Sequence, residues 1–227
     1  MEAISKWHSH PPAGKMALMQ PVIAKFRTHQ EAEAATLAYY RRLSPAERLE
    51  ILFQLRALAR KEDDASSQKN PRHPNRAVAT TWRAFIESLN SSGVEYLIVG
   101  AVALAHHGFP RYTGALDILV HNSAENAHRL EGALQSFGFG DLGLKATDFI
   151  DSYQVIQLGL PPNRIDLLTS ITGVSFEEAW AERIETVLEG MRVNFIDRQA
   201  LIQNKRVTRR PQDLADLAAL GEEPDSK

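Results

Sequence analysis

Two acidic residues stand alone in strands that are otherwise apolar. Asp117 lies within Ala-Leu-Asp-Ile-Leu-Val (115–120), and Asp166 within Arg-Ile-Asp-Leu-Leu (164–168). A carboxylate buried among aliphatic side chains is costly unless it is paired or bound to a metal. Two such acids on two strands point to convergence on one site. Hard oxygen ligands of this kind suit Mg²⁺ or Mn²⁺, with phosphate oxygens and water completing the shell. The competing arrangement pairs each acid with a local arginine, such as Arg111 or Arg164.

Gly100 is the second feature. It separates the strand-like stretch Glu95–Val99 from a helical stretch. A glycine there lets backbone N–H groups approach a ligand, and a helix start favours phosphate. The same residue also serves turn geometry with no ligand at all. The third feature is basic: Lys205, Arg206, Arg209 and Arg210 place four cations within six residues. Such a run makes a solvated face, or it reaches a triphosphate or a nucleic-acid backbone.

These residues need a scaffold, and the periodicity supplies one. Trp82, Phe85, Ile86 and Leu89 form a helical stripe that Asn90-Ser91-Ser92-Gly93 ends. Leu116, Ile118 and Val120 alternate as a strand, and a helix is expected from Glu125 to Phe137. Residues 154–158 and 164–168 flank Pro161-Pro162-Asn163 as a hairpin; residues 184–188 and 192–196 flank Glu189-Gly190 as a second. Ser175-Phe-Glu-Glu178 is a capping box. Helices over about 102–107, 198–207 and 212–220 complete an α+β fold with a mixed sheet.

The N-terminal third reads differently. Thr28-His29-Gln30-Glu31 and Ser44-Pro45-Ala46-Glu47 are two capping boxes, so residues 28–60 form a helical hairpin. Residues 1–27 read as a flexible leader, with His8 and His10 as chance histidines, and 61–76 as a linker. The organisation is then leader, hairpin, linker, a domain over 77–221 and a tail over 222–227. A net charge of −2 does not announce a nucleic-acid binder, and no apolar run reaches membrane-span length. The absence of cysteine excludes disulfides and thiolate metal sites and fits a cytoplasmic setting.

Three motifs in order carry a family resemblance. The stretch Tyr96-Leu-Ile-Val-Gly-Ala-Val-Ala-Leu-Ala-His-His-Gly-Phe-Pro-Arg-Tyr-Thr-Gly-Ala-Leu-Asp-Ile-Leu-Val120 resembles the core of minimal bacterial nucleotidyltransferases, including the abortive-infection toxin type. Asn163-Arg-Ile-Asp-Leu-Leu-Thr-Ser170 resembles that family's third-acid strand, and Asn204-Lys205 with Arg210-Pro-Gln-Asp-Leu-Ala-Asp-Leu217 its C-terminal signature. The resemblance implies a nucleotidyltransferase fold, a mixed sheet flanked by helices, that binds ATP or another nucleoside triphosphate. It implies transfer of NMP to a tRNA or protein hydroxyl, in a toxin–antitoxin or phage-defence setting. Asp117 and Asp166 would be catalytic residues and ligands of Mg²⁺ (or Mn²⁺), with Asp166 also a base for the incoming hydroxyl. Gly100 and Ala101 would be the phosphate turn, and Arg111, Lys205 and Arg210 nucleotide contacts. Asp213 and Asp216 would be local structural partners. His106 and His107 also match family-like positions, where helix packing is the favoured role.

One position departs from the pattern. The family's first acid belongs at residue 115, which is alanine here. Strand alternation puts 115 and 117 on one face, roughly 6.5–7 Å apart. Two carboxylates there straddle a metal pair ~3.5–4 Å apart. Alanine removes a ligand and a charge, so transfer should be badly impaired. Either an inactivating substitution was made in a reactive enzyme, as the intact neighbouring motifs favour, or the chain is a natural pseudoenzyme. The alternative function is an inactive nucleotide- or nucleic-acid-binding regulatory module. The N-terminal helices resemble short proteins found beside such transferases, which implies a fused regulatory segment, contact with a cognate antitoxin, or self-association.

Overall fold

Short aliphatic runs broken by glycine, proline and polar turns make strands. Among the described residues they make seven, joined in one sheet. The computed structural model describes residues 23–42, 74–111, 113–160, 163–188 and 190–222. The strands are β1 (Ile23–Phe26), β2 (Tyr96–Ile98), β3 (Ala115–Val120), β4 (Val155–Leu158), β5 (Arg164–Leu168), β6 (Ile184–Leu188) and β7 (Met191–Phe195). Their order across the sheet is β1-β4-β5-β3-β2-β7-β6. The pairs β3–β5 and β2–β7 are parallel and the rest antiparallel, so the sheet is mixed and the fold α+β. Both expected hairpins form, as β4–β5 and β6–β7.

Helices α1 (His29–Arg42), α2 (Pro74–Ser91), α3 (Gly100–His106), α4 (Ala124–Leu134), α5 (Phe176–Ala181), α6 (Arg198–Thr208) and α7 (Pro211–Ala219) surround the sheet. The stripe on α2 is spent on the core. Phe85 and Leu89 are fully buried beside Leu130 and Leu134 of α4, and the Phe85 and Phe137 rings meet edge-on at 5.1 Å. Each large apolar side chain withdrawn in this way stabilises by about 1.5–3 kcal/mol. The starts of the later helices are chemically capped. Ser123 accepts from the Asn126 N–H, Ser175 and Glu178 form the expected capping box, and Asp197 accepts from the N–H groups of Gln199 and Ala200. Pro211 sits in the first turn of α7, where its missing N–H costs nothing.

The N-terminal segment departs from the expectation. Residues 23–26, assigned to the leader, form edge strand β1 in register with β4, Ile23 opposite Leu158 and Phe26 opposite Val155. Backbone pairing with an open sheet edge needs almost no side-chain signal, so four unremarkable residues become a strand. The start of the 77–221 domain also moves, because α2 begins at Pro74 inside the expected linker. Proline at a first helical position starts a helix rather than breaking it. The second capping box at 44–47, its helix to residue 58 and the rest of the linker lie outside the described residues. Among the described residues no helix is long and apolar enough to cross a membrane.

Candidate functional site

Parallel pairing of β3 with β5 puts Asp117 directly opposite Asp166. Alternation along β3 sends Leu116, Ile118 and Val120 to one face and leaves Ala115 and Asp117 on the other. Both acids line a cleft of about 360 Å³ together with Gly100, Gln157, Arg164, Asn204 and Arg210. The strands therefore bring the two acids together beside the glycine turn.

Gly100 is required by that packing. Its φ is +63°, and a Cβ added there would lie 2.1 Å from Oδ2 of Asp117. Only glycine permits the left-handed backbone and the carboxylate resting against it. Val99, just before it, donates its N–H to the Asp117 carbonyl at 3.0 Å, locking turn and strand together. Ala101, expected beside Gly100 in a phosphate turn, is buried and does not line the cleft.

The two acids differ in their partners. Asp166 is held by Arg164, whose Nε and second guanidinium nitrogen donate to its two oxygens at 2.8 and 2.9 Å. Gln157 approaches the same carboxylate at 3.5 Å. Asp117 accepts no side-chain hydrogen bond among the described residues. Burial, then the neighbouring Asp166 charge, pushes its pKa up to about 7, against the pull of Arg164, Arg210 and Arg111. Burial raises Asp166 as well, while Arg164 pulls it down. The pairing with local arginines thus holds for Asp166 and Arg164, and it happens inside the cleft.

Ala115 is buried and lies opposite Arg164 in the β3–β5 register, so this position supplies no oxygen. Among the described residues no group of three or more metal-type side chains gathers anywhere. The donor set, two facing carboxylates of which one lacks a partner, fits one hard divalent cation whose remaining ligands come from phosphate and water. It does not fit two.

The basic cluster divides in two. Arg209 at φ +53° ends α6, and Arg210 then lines the cleft. Arg210 donates from Nε to Asp213 at 2.7 Å and from a terminal nitrogen to Glu33 at 2.5 Å. Burial would lower the Arg210 pKa, but these two acids more than offset it and hold the guanidinium firmly charged. Lys205, expected at phosphate, points inward instead. It is 2 % exposed, donating to Asp213 at 3.3 Å and closely to Asp216. A buried ammonium needs acids at once, and these two claim it before any ligand does. Arg111, also expected at the nucleotide, forms a two-pronged pair with Asp216 at 2.7 and 3.0 Å and does not line the cleft. Burial opposes ionisation of Asp216, but Arg111, Lys205 and Gln212 together keep its pKa low. His106 stacks on Phe195 at 4.1 Å and His107 meets the Ile196 carbonyl at 2.9 Å, which are packing roles.

His29, Glu33, Thr36 and Leu37 of α1 also line the cleft, and nothing in their local sequence singles them out. Their spacing along one helix face is the signal that was available. Burial and then Arg210 lower the His29 pKa, which keeps the ring uncharged near neutrality.

Among solved structures the chain is similar to an antigenic nucleotidyltransferase-like protein from Paracoccidioides brasiliensis, at 16% identity and TM-score 0.44 over 63% of this chain and 74% of that one. It is also similar to a candidate nucleotidyltransferase from Thermotoga maritima, at 13% identity and TM-score 0.43 over 63% of this chain and 91% of that one. No protein family and no curated protein matches the sequence.

Proposed function

We propose that this chain is a nucleotidyltransferase-type protein whose cleft receives the triphosphate of a nucleoside triphosphate with one Mg²⁺ or Mn²⁺. The observation that carries the reading is the register of Asp117 against Asp166 on β3 and β5, at the edge of a turn that only Gly100 can make. The three sequence motifs support it, since they supply these same residues. Asp117 and Asp166 would hold the ion. When bound, the ion would neutralise triphosphate charge and raise the electrophilicity of the phosphorus under attack. Arg210 would bind a phosphate oxygen, with Asp213 fixing the direction of its guanidinium. Gly100 keeps the floor of the cleft low enough for phosphate to approach Asp117. Arg164 takes one lone-pair position on each oxygen of Asp166, so an ion would take one of the remaining positions.

Ala115 limits the chemistry. With alanine at 115 the residues present would hold a single ion, and no carboxylate there would support the acceptor hydroxyl, so transfer of NMP to that hydroxyl should be slow in this form. The acceptor class implied by resemblance, a tRNA or protein hydroxyl, and the toxin or phage-defence setting belong to this reading. A second reading is a binding module without turnover; Ala115 and the Arg164–Asp166 pair favour it.

Restoring the acid separates the two. Ala115→Asp, given labelled nucleoside triphosphates, Mg²⁺ and a mixture of tRNA and cell protein, should transfer label about 10²-fold faster than the parent, the scale of one added charge contact to a developing transition state. Nucleotide binding by both forms with transfer by neither would establish the binding module instead.

A further inference from the structure

Helix α1 lies against the cleft, and two of its polar side chains each accept from a terminal guanidinium nitrogen of a cleft arginine. Glu33 meets Arg210 at 2.5 Å, and the Thr36 hydroxyl accepts from Arg164 at 2.8 Å. His29, Ala32 and Leu37 line the same opening. The segment is tethered at its start, where β1 pairs with β4 and Lys25 meets Asp148 at 2.6 Å. Its own hold on the cleft is light. Ala32 is the one buried side chain among those described on α1, Leu37 is 51% exposed, and the Glu33–Arg210 pair is partly solvated. A helix with one buried side chain among those described and a half-exposed ion pair belongs to the less stable part of a fold.

We propose that β1–α1 is a built-in cover, in which the Glu33 carboxylate occupies on Arg210 the place a ligand phosphate takes, so that triphosphate entry and the seated α1 compete. The proposal rests on the phosphate-binding reading of the cleft. It adds that the free chain holds itself partly closed, and that any ligand affinity is reduced by the fraction of molecules in which α1 is seated. Competition follows from charge: Asp213 takes Nε and one terminal nitrogen of Arg210, Glu33 takes the other, and a carboxylate seated there repels a phosphate arriving at the same nitrogen.

The test uses the full chain with inorganic tripolyphosphate and Mg²⁺, which probes phosphate recognition without a base. Calorimetry compares the parent with Glu33→Gln, and amide hydrogen exchange follows residues 29–42 with and without the probe. Glu33→Gln should bind roughly two- to fivefold more tightly, the range a partly exposed ion pair supports. Saturation of the parent should speed exchange in α1. Equal or weaker binding by Glu33→Gln, or slower exchange in α1 on saturation, overturns the cover while leaving the phosphate site standing; the second result would make α1 a clamp on the ligand. Absence of binding by both forms removes the phosphate site and the cover with it.

Discussion

The Asp117 carboxylate rests on the Gly100 backbone, faces Asp166 across one strand gap and receives no hydrogen bond among the described residues. Its pKa of about 7 lies well above the unfolded value near 3.8. A raised carboxylate pKa stabilises the fold at acid pH and withdraws that contribution as pH climbs from about 4 through about 7. Asp117→Asn leaves no partner stranded, so it should be more stable than the parent at pH 8, by at most about 4 kcal/mol for a shift from 3.8 to about 7, with the gap shrinking towards pH 4. Urea unfolding at the two pH values checks this; a pH-independent gap would place Asp117 in a setting other than the one described. Gly100 has a separate signature. Gly100→Ala forces a side chain into the left-handed region and into Asp117, and should cost about 1–3 kcal/mol in the same assay. A neutral result would mean that the turn can move away from the carboxylate.

At the scale of elements, α6 and α7 are joined by ions as well as by apolar contacts. Lys205 on α6 reaches Asp213 and Asp216 on α7, and Asp216 also receives Arg111 from the loop before β3. Removing one partner of a buried pair leaves a stranded charge, so Lys205→Met should lose about 3–5 kcal/mol of stability. If Lys205 instead served a ligand from a solvated position, the variant would unfold like the parent and lose only binding. This network also shows what a sequence conceals. The strands were legible because alternation of apolar and polar residues is imposed by sheet geometry, and Asp117 and Asp166 stood out because they break it. Composition could not divide the basic run, since inward Lys205 and cleft-facing Arg210 are separated only by how α6 meets α7. Arg164 was half legible: it lies two residues from Asp166 on the same strand, hence on the same face. The strand at 23–26 was hidden, because an edge strand draws its stability from a partner more than a hundred residues away.

Across the whole molecule, the sheet gathers negative charge at its middle, β3 and β5, while positive charge arrives from β5 itself and from the α6–α7 turn. The N-terminal segment then lies against the same opening. This placement puts residues from both ends of the described chain, Glu33 and Arg210, into one contact. A cleft of about 360 Å³ lined by two acids and two arginines is what the proposed reading, a polyanion carrying a cation, requires. On that reading neither partner would satisfy the site by itself, because a bare phosphate would meet the acids and a bare cation the arginines.

That mutual dependence gives the most direct test. Mn²⁺ binding should be followed by electron paramagnetic resonance, with and without ATP, in the parent, Asp117→Asn and Asp166→Asn. Mn²⁺ should bind weakly alone and at least about tenfold more tightly with ATP, as expected when two ligands favour each other, and either variant should lose that enhancement. Binding of Mn²⁺ and ATP that is unchanged in both variants would contradict this, because the ion would then lie somewhere other than between β3 and β5.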